Sequence, residues 1–218
     1  MNVAEAIKRR RSIRKYLDKP VPVELIRKII EAGTYAPSGK NGQPWRFTVL
    51  TGQNKDQITD LMQSGLEELA GKHGTQKMGS SLNSCRIMRE APVLILVWNT
   101  GESLETEIMA AIREVVPRAD NLIHMAEVQG VSAAIQNMLL IAYSMGLGSL
   151  WINDIYYVLD SLIDFFGHSW ELVAAVSIGY PVESERNRGP PSKLSVDEVA
   201  DFRQIHSAFA PSYGAKDE

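Results

Sequence analysis

The amino-acid sequence predicts an α+β fold, because it contains both helically spaced apolar residues and short apolar runs typical of buried strands. No linker rich in Pro, Gly or Ser divides the 218 residues, and no internal repeat is visible. We therefore expect a single domain over residues 1–218, in which the charged and proline-rich residues 183–218 form an extended C-terminal arm. The predicted strands are residues 45–51, 93–98 and 171–180, and the predicted helices include residues 3–9, 53–70, 131–145 and 154–166.

The first elements lead into a basic turn and then into a loop. Residues 3–9 are predicted to form a short helix that delivers the turn. A second helix begins at Pro22, whose fixed φ suits a first helical residue, and ends before Gly33. The loop that follows is dense in Pro, Gly, Ser and Asn, and residues 45–51 then form a strand. The composition of this loop fits two interpretations, a binding loop or a plain helix-to-strand connector, and does not decide between them.

In the middle of the chain, segments with a clear hydrophobic pattern alternate with segments that have none. The helix at 53–70 has an apolar stripe, whereas residues 71–84 are rich in Gly, Ser and Lys and are expected to be mobile. Residues 93–98 are almost continuously apolar, which predicts a strand covered on both faces. Residues 103–121 are poorly patterned and contain Pro117, so we interpret them as a variable cover over the functional site.

The last part of the chain is strongly apolar before it becomes polar. Residues 131–145 are apolar almost all round, which predicts a helix buried in the core and stopped by Gly146 and Gly148. The glycines there do not form a dinucleotide fingerprint, because they follow a helix and the final glycine is missing. Ser195 and Glu198 have the spacing of a capping box in the arm.

The basic turn at residues 8–16 has six cationic side chains among nine residues. Such a run suits a solvated face, a nucleic-acid patch or a cradle for one phosphate group. The whole chain has a formal net charge of −3 and a pI of about 5.9, which argues against a nucleic-acid partner. Because Arg10, Ser12 and Arg14 occupy alternate positions, an extended backbone would place two guanidinium groups and a hydroxyl on one side. This arrangement suits a single phosphate group.

Several other classes of site and location are disfavoured. Cys85 is the only cysteine, which excludes an internal disulfide and a thiolate metal site. The four histidines are dispersed without ligand spacing, so we predict no metal site and no catalytic triad. There is no secretory apolar region at the N-terminus and no apolar run near the ~18 residues of a membrane span. We therefore expect a cytoplasmic protein without a membrane partner.

Two motifs and their spacing resemble the nitroreductase family of FMN-dependent oxidoreductases. The first is Arg-Arg-Ser-Ile-Arg-Lys-Tyr near the N-terminus, and the second, about two dozen residues later, is Ala-Pro-Ser-Gly-Lys-Asn-Gly-Gln-Pro-Trp. Residues 91–97 are similar to the central strand of that family, and residues 136–152 to its long core helix and following turn. The resemblance spans roughly residues 3–200.

This resemblance implies a nitroreductase-like fold, with a central, mostly antiparallel sheet flanked by helices, in an interlocked homodimer. FMN would be bound at the interface, and NAD(P)H, as NADH or NADPH, would be the electron donor. A nitroaromatic, quinone or similar conjugated small molecule would then accept the electrons by a ping-pong route through flavin N5. That step needs no side-chain acid, base or nucleophile, so no catalytic residue is predicted.

The resemblance also implies which residues bind the cofactor. Arg10 and Ser12 would hold the phosphate with help from Arg11, and Arg14 is the first candidate for the cation near flavin N1 and O2. Lys193 fits the basic residue that completes the phosphate site, with Arg188 as the alternative. From the other subunit, the flavin or the substrate would be contacted by Pro37, Ser38, Gly39 and Asn41.

Two further groups are implied at the flavin ring. Asn83 and Arg86 match the spacing of an Asn and a cation before the central strand, although ordinary surface residues remain an equal alternative. The turn at Trp151, Ile152 and Asn153 would carry the backbone N–H that contacts N5. Many family members have a glycine pair, or an acidic residue followed by glycine, after the strand that leads into this turn, whereas this chain has Asn153-Asp154.

The sequence is also compatible with functions other than that of a nitroreductase-type enzyme. A non-catalytic flavin-binding or storage protein would have the same phosphate cradle. A flavin-destroying or reductive-dehalogenating relative would need its own substrate lid, for which the residues around 100–125 are the candidate. A nucleic-acid-binding module would rest on the basic turn alone.

Overall fold

The computed structural model describes residues 2–74, 80–101, 107–189 and 191–201. Four strands form one antiparallel sheet with the order β1-β2-β4-β3, which confirms the predicted α+β class and the central antiparallel sheet. The strands are β1 (Trp45–Leu50), β2 (Val93–Asn99), β3 (Gly148–Ile152) and β4 (Glu171–Gly179).

Helices pack on both faces of this sheet. Short 3-10 turns occupy Gly39–Asn41 and Asp154–Val158. The α-helices are α1 (Val3–Arg9), α2 (Val23–Thr34), α3 (Gly52–His73), α4 (Ser81–Glu90), α5 (Glu107–Val115), α6 (Ala119–Ser144), α7 (Leu159–Phe166), α8 (Glu183–Arg186) and α9 (Val196–Val199).

Strand β2 divides the core into two layers, because successive side chains of a strand point to opposite faces. Val93, Ile95 and Val97 pack with α2 and α6 on one face. Leu94, Leu96 and Trp98 pack with α3, α4 and the 154–158 turn on the other face. Every residue of β2 is buried, which confirms the prediction of a strand covered on both sides.

The prediction that residues 71–84 form a mobile segment was wrong at both ends. Helix α3 continues to His73, and α4 begins at Ser81; residues 75–79 lie outside the described part of the chain. The buried face of α4 includes Ser81, Ser84 and Cys85. Because only Ile87 and Met88 among its buried residues are large and apolar, this face does not stand out in the sequence.

Other boundaries also differ from the prediction. Pro117 lies between two helices, α5 and α6, as expected of a residue that interrupts a helix, within the segment that is poorly patterned in the sequence. Residues 102–106 lie outside the described ranges. Helix α6 begins at Ala119 rather than at 131. Residues 154–166 form a 3-10 turn followed by α7, rather than one helix.

Strand β3 is short and contains Trp151 and Ile152, which were expected in the turn, so that the turn itself begins at Asn153. Gly146 follows the end of α6 with a φ of 77°, but Gly148 begins β3. The capping box of Ser195 and Glu198 is confirmed at α9. Residues 202–218 of the predicted arm lie outside the described part of the chain.

Candidate functional site

The basic turn is held against the edge of the sheet by backbone hydrogen bonds. The Ile13 N–H donates to the Ser149 carbonyl at 3.0 Å, and Ser12 forms an isolated parallel bridge with Ser149 of β3. The Tyr16 hydroxyl donates to the Ile13 carbonyl at 3.0 Å, which closes the turn. A segment with so many like charges is thereby ordered by contacts of its uncharged residues.

Glycine is required at the start of β3 for this contact. A Cβ on Gly148 would lie 2.7 Å from Cγ1 and 2.8 Å from Cγ2 of Ile13, closer than unbonded carbons approach. Ile13 is buried, so it has little room to move away. The lack of a side chain at Gly148 therefore permits the basic turn to lie directly on β3.

A cavity of about 1220 Å³ opens beside this turn. Its walls come from the end of α1, the basic turn, the last part of α6, the start of β3 and the segment after α8. The charged groups around it are mainly cationic, with Glu185 as the acidic member, and Glu185 pairs with Arg188 at 3.1 Å. The cationic lining residues are Lys8, Arg9, Arg10, Arg11, Arg186, Arg188 and Lys193.

The electrostatics at Arg10 indicate a site suited to an anion. Burial, and then the charge of neighbouring Arg11, lower the pKa of the half-buried Arg10 guanidinium from its ordinary value. The Arg11 guanidinium donates a hydrogen bond to the Gly189 carbonyl, which ties the turn to the segment after α8. An anion beside these two side chains would offset both the desolvation and their mutual repulsion.

The structure brings together several residues of the predicted phosphate site. Arg10 and Arg11 line the cavity with Arg188 and Lys193, which are about 180 positions away in the sequence. Ser12 adjoins the cavity through its bridge to Ser149. Arg14 is placed differently, because its side chain is exposed and donates to the Ser12 carbonyl at 3.3 Å.

The predicted N5-contact turn lies at the other end of β3. From Ser149 at the cavity to Asn153 is four residues, or roughly 13 Å of extended strand. Ile152 is buried, and the Trp151 indole N–H donates to Asn153 Oδ1 at 2.8 Å. The Tyr156 N–H donates to the Asn153 carbonyl at 3.1 Å, so the turn is fixed on both sides of Asn153.

Asn83 and Arg86 lie on the exposed side of α4. The Arg86 guanidinium donates to Asn83 Oδ1 at 2.8 Å and pairs with Glu90 at 2.6 Å. Between them in sequence, Ser84 is buried and donates a hydrogen bond to the Asp154 carboxylate. The pair is therefore not in the cationic cavity, but its helix is attached to the turn that ends β3.

The loop that contains Pro37, Ser38, Gly39 and Asn41 is not part of the cavity wall. It packs instead on α6, where a Cβ added to Gly130 would lie 3.3 Å from the Pro37 carbonyl oxygen and from Ser38 Cβ. The Ser38 hydroxyl accepts from the Gln43 N–H at 3.0 Å. In the described chain, the structure therefore separates these four residues from the phosphate group of residues.

The backbone of this loop is unusual. Its residues Lys40, Asn41 and Gln43 have φ values of 50°, 56° and 48°. The left-handed conformation costs L residues roughly 1–2 kcal/mol each. Three such residues within four positions require stabilisation from surrounding contacts, and strained loops of this kind are often binding loops.

Sequence reasoning missed part of the cavity wall. Gln136 and Tyr143 of α6 lie seven residues apart, on one face of the helix, and both line the cavity. Two polar side chains at this spacing in an otherwise apolar helix were the available signal. Arg186, by contrast, is a single cation in a charged segment and carried no such signal.

Within residues 2–74, 80–101, 107–189 and 191–201, no group of three or more His, Cys, Asp or Glu side chains is placed to hold a metal ion. No helix in those ranges is both long and apolar enough to cross a membrane.

Comparisons with known proteins agree with one another. Residues 7–180 match the model of the Nitroreductase family. A protein of Methanothermobacter thermautotrophicus named for NADH dehydrogenase/NAD(P)H nitroreductase activity is 32% identical over 194 residues, which cover 86% of this chain and 82% of that protein.

Solved structures give the same result. A nitroreductase-type protein from Desulfovibrio desulfuricans in complex with FMN superimposes with a TM-score of 0.66 at 28% identity, covering 92% of this chain and 95% of that one. A BluB-like flavoprotein from Clostridium difficile superimposes with a TM-score of 0.76 at 28% identity, covering 93% and 99%.

Proposed function

The chain belongs to the nitroreductase family, and we propose that it is an FMN-dependent oxidoreductase that uses NAD(P)H to reduce nitroaromatics, quinones or similar conjugated acceptors. The observation that carries the proposal is the convergence of Arg10, Arg11, Arg188 and Lys193 around one cavity beside β3. These residues come from the two ends of the sequence, and they form the phosphate end of the site.

The residues present fit FMN. A phosphomonoester carries nearly two negative charges at neutral pH, and guanidinium groups bind phosphate oxygens through charge-assisted hydrogen bonds. The half-buried Arg10 beside Arg11 is such a cation pair, and burial favours its occupation by an anion. The roughly 13 Å between Ser149 and Asn153 suits an elongated ligand with a phosphate at one end and a ring system at the other.

The chain's own residues act by binding and orientation. Arg10, Arg11 and Lys193 would hold the phosphate, and Ser12 would donate its hydroxyl to it. The backbone at Asn153 would face the ring, held by the hydrogen bonds from Trp151 and Tyr156. Bound FMN would supply the redox chemistry, accepting a hydride at N5 from NAD(P)H and delivering the electrons to the acceptor.

We further propose that the enzyme is a homodimer and that the loop with Ser38 and Asn41 serves the site of the partner subunit. Supporting this, the loop is ordered on α6 through Gly130 but does not line the cavity of its own chain. A small ligand in the cavity would therefore be covered by a loop from a second copy. Size-exclusion chromatography with light scattering tests this, and a monomer that binds FMN with full affinity would contradict it.

The function is tested by the visible absorption of the freshly purified protein, followed by anaerobic addition of NADH and of NADPH. Flavin bands that are bleached by either nucleotide are the expected result, and the relative rates rank the two donors. Dithionite is the control, because it shows that the bound flavin is reducible. A protein that is colourless and does not take up added FMN would overturn the assignment.

A specialised flavoprotein reaction is the second candidate. It is favoured by the TM-score of 0.76 with the BluB-like flavoprotein, which is a likeness outside the nitroreductase-named relatives. Flavin destruction would appear as a loss of the flavin spectrum under oxygen, and reductive dehalogenation as halide release. Flavin bands that dithionite bleaches and neither nucleotide does would favour this candidate or a storage protein.

A further inference from the structure

We propose that Ser84 and Asp154 form a positioning pair that joins α4 to the turn after β3 and sets the electrostatic environment of the bound flavin ring. The inference rests on the proposed function, because it concerns how this chain holds FMN. It extends that function to two residues outside the predicted cofactor contacts, and its test separates a failure of the pair from a failure of FMN binding.

The contact connects two elements that are far apart in the sequence. Ser84 lies on the buried side of α4 and donates its hydroxyl hydrogen to the Asp154 carboxylate, 70 residues later. Asp154 is partly buried and follows the exposed Asn153. By accepting the hydroxyl hydrogen of Ser84, one oxygen of the Asp154 carboxylate gains a partner and the direction of the side chain is fixed.

The pair lies between the two groups expected at the ring. Asn83 is the neighbour of Ser84, Asn153 is the neighbour of Asp154, and Arg86 follows two residues after Ser84. The exposed side of α4 carries Asn83 and Arg86, while its buried side carries Ser84. Apolar packing holds α4 against the 154–158 turn, and the Ser84–Asp154 hydrogen bond adds the polar contact nearest to Asn83 and Asn153.

The other end of α4 is held independently. The ammonium group of the buried Lys55 donates to the Arg89 carbonyl, and the Arg89 guanidinium pairs with Asp60 at 2.7 Å. Loss of the Ser84 hydroxyl would therefore leave the helix in place at its C-terminus and release it mainly near Asn83. This makes Ser84 a suitable position for a mild and local perturbation.

The charge of Asp154 gives the pair a distinctive effect on redox properties. Reduced flavin carries more negative charge than oxidised flavin, so a nearby carboxylate disfavours the reduced state. The hydrogen bond from Ser84 draws that charge toward α4. The pair should therefore influence the ratio of affinities for reduced and oxidised FMN, and not only the strength of binding.

The test measures the midpoint potential of bound FMN and the FMN dissociation constant in Ser84→Ala and Asp154→Asn. Asp154→Asn keeps the shape and removes the charge, so we expect the affinity ratio to shift about tenfold toward reduced FMN, which is about 30 mV for a two-electron couple. Ser84→Ala leaves the carboxylate without its donor, so we expect a shift in the opposite direction and an FMN dissociation constant raised several-fold.

Matched controls are available close by. Asp160→Asn removes the same charge from an exposed position in the first turn of α7, and Ser80→Ala removes the same hydroxyl from the start of α4, where it makes no capping hydrogen bond. Both should leave the potential unchanged. Thermal unfolding of each apoprotein identifies a variant that fails to fold. If Ser84→Ala does not fold, the potential of the nearly isosteric Asp154→Asn decides the test by itself.

The outcomes distinguish the two levels of inference. Opposite shifts of the potential in the two variants support the positioning pair. Potentials equal to the wild type, or shifted in the same direction in both variants, would overturn it while leaving the proposed function intact. A wild-type protein that binds no FMN would overturn both.

Discussion

The basic turn and the loop at residues 36–44 are both predicted to contact FMN, yet the structure treats them in opposite ways. The basic turn is bound to β3 and faces a cavity that is built within one chain. The loop is packed on α6, is strained at three residues, and does not reach that cavity. The cationic cavity is thus built within one folded chain. In the proposed dimer, a second copy would supply the remaining wall.

The largest effect is expected at the phosphate end. Replacing Arg10 with Ala removes a charge-assisted contact of about 1.5–3 kcal/mol, so FMN should bind roughly ten- to 150-fold more weakly. Fluorescence titration of the apoprotein with FMN measures this. Arg27→Ala removes an exposed cation from α2 and serves as the control. Equal FMN affinity in wild type and Arg10→Ala would contradict the proposal that the basic turn, rather than the loop, binds the phosphate.

A second prediction concerns the attachment of the turn to the sheet. In Gly148→Ala the new Cβ would meet Ile13 at 2.7 Å, which should destabilise the protein by about 1–3 kcal/mol and weaken FMN binding together with it. Gly71→Ala makes the same change near the end of α3, where nothing lies within 4 Å, and should be neutral or stabilising by about 0.5–1 kcal/mol. Thermal unfolding compares the two variants, and equal melting temperatures would contradict the close contact.

A third prediction addresses the loop. In Gly130→Ala, the gain in helix propensity opposes the contact at 3.3 Å with Pro37 and Ser38, so stability should change by less than about 1 kcal/mol. The loop should move, and we therefore expect a raised KM for the electron acceptor with an unchanged FMN dissociation constant. A variant that loses FMN as readily as Arg10→Ala would show that the loop belongs to the phosphate end.

The smallest effect is expected in the arm near Lys193. Hydrogen bonds from the backbone and side chain of Ser195 lower the pKa of the exposed Glu198 from its ordinary value of 4.5. The capping box is therefore fully stabilising above pH 4.5 and is lost as the pH falls through the lowered pKa. The protection factor of the α9 amides, which corrects the exchange rate for its intrinsic pH dependence, should fall over that range in the wild type. In Ser195→Ala the protection should be low throughout, and a pH-dependent protection factor retained there would contradict the assignment.

The elements that could be predicted from the sequence are those whose buried residues are apolar and recur with the spacing of a strand or a helix. Residues 93–98 are apolar on both faces, so the central strand was recognisable without its neighbours. Helix α4 was not predicted, because three of its five buried residues are Ser81, Ser84 and Cys85 and only Ile87 and Met88 are clearly apolar. Strand β3 was implied by the family resemblance alone, because five residues that begin at a glycine do not form a clear strand pattern.

The residues of the candidate site likewise divide into those that a local sequence pattern indicated and those that it did not. The alternation of Arg10, Ser12 and Arg14 predicted a phosphate cradle; Arg10 lines the cationic cavity, whereas the exposed Arg14 side chain donates to the Ser12 carbonyl. Gln136 and Tyr143 carried a weak helical signal, whereas Arg186 had none. Which cations line the cavity depends on where the segment after α8 returns to β3, and local patterns contain no information about that return.

By itself, the sequence determined the α+β class, the family resemblance and the concentration of cations in the basic turn, because each depends on residue type and short-range spacing. Tertiary structure decided which end of the chain completes the cavity, that Ser84 reaches Asp154, and that the loop at residues 36–44 lies apart from the cationic cavity. These depend on contacts between residues up to about 180 positions apart. Such contacts are set by the packing of whole helices on the sheet, to which every buried side chain contributes.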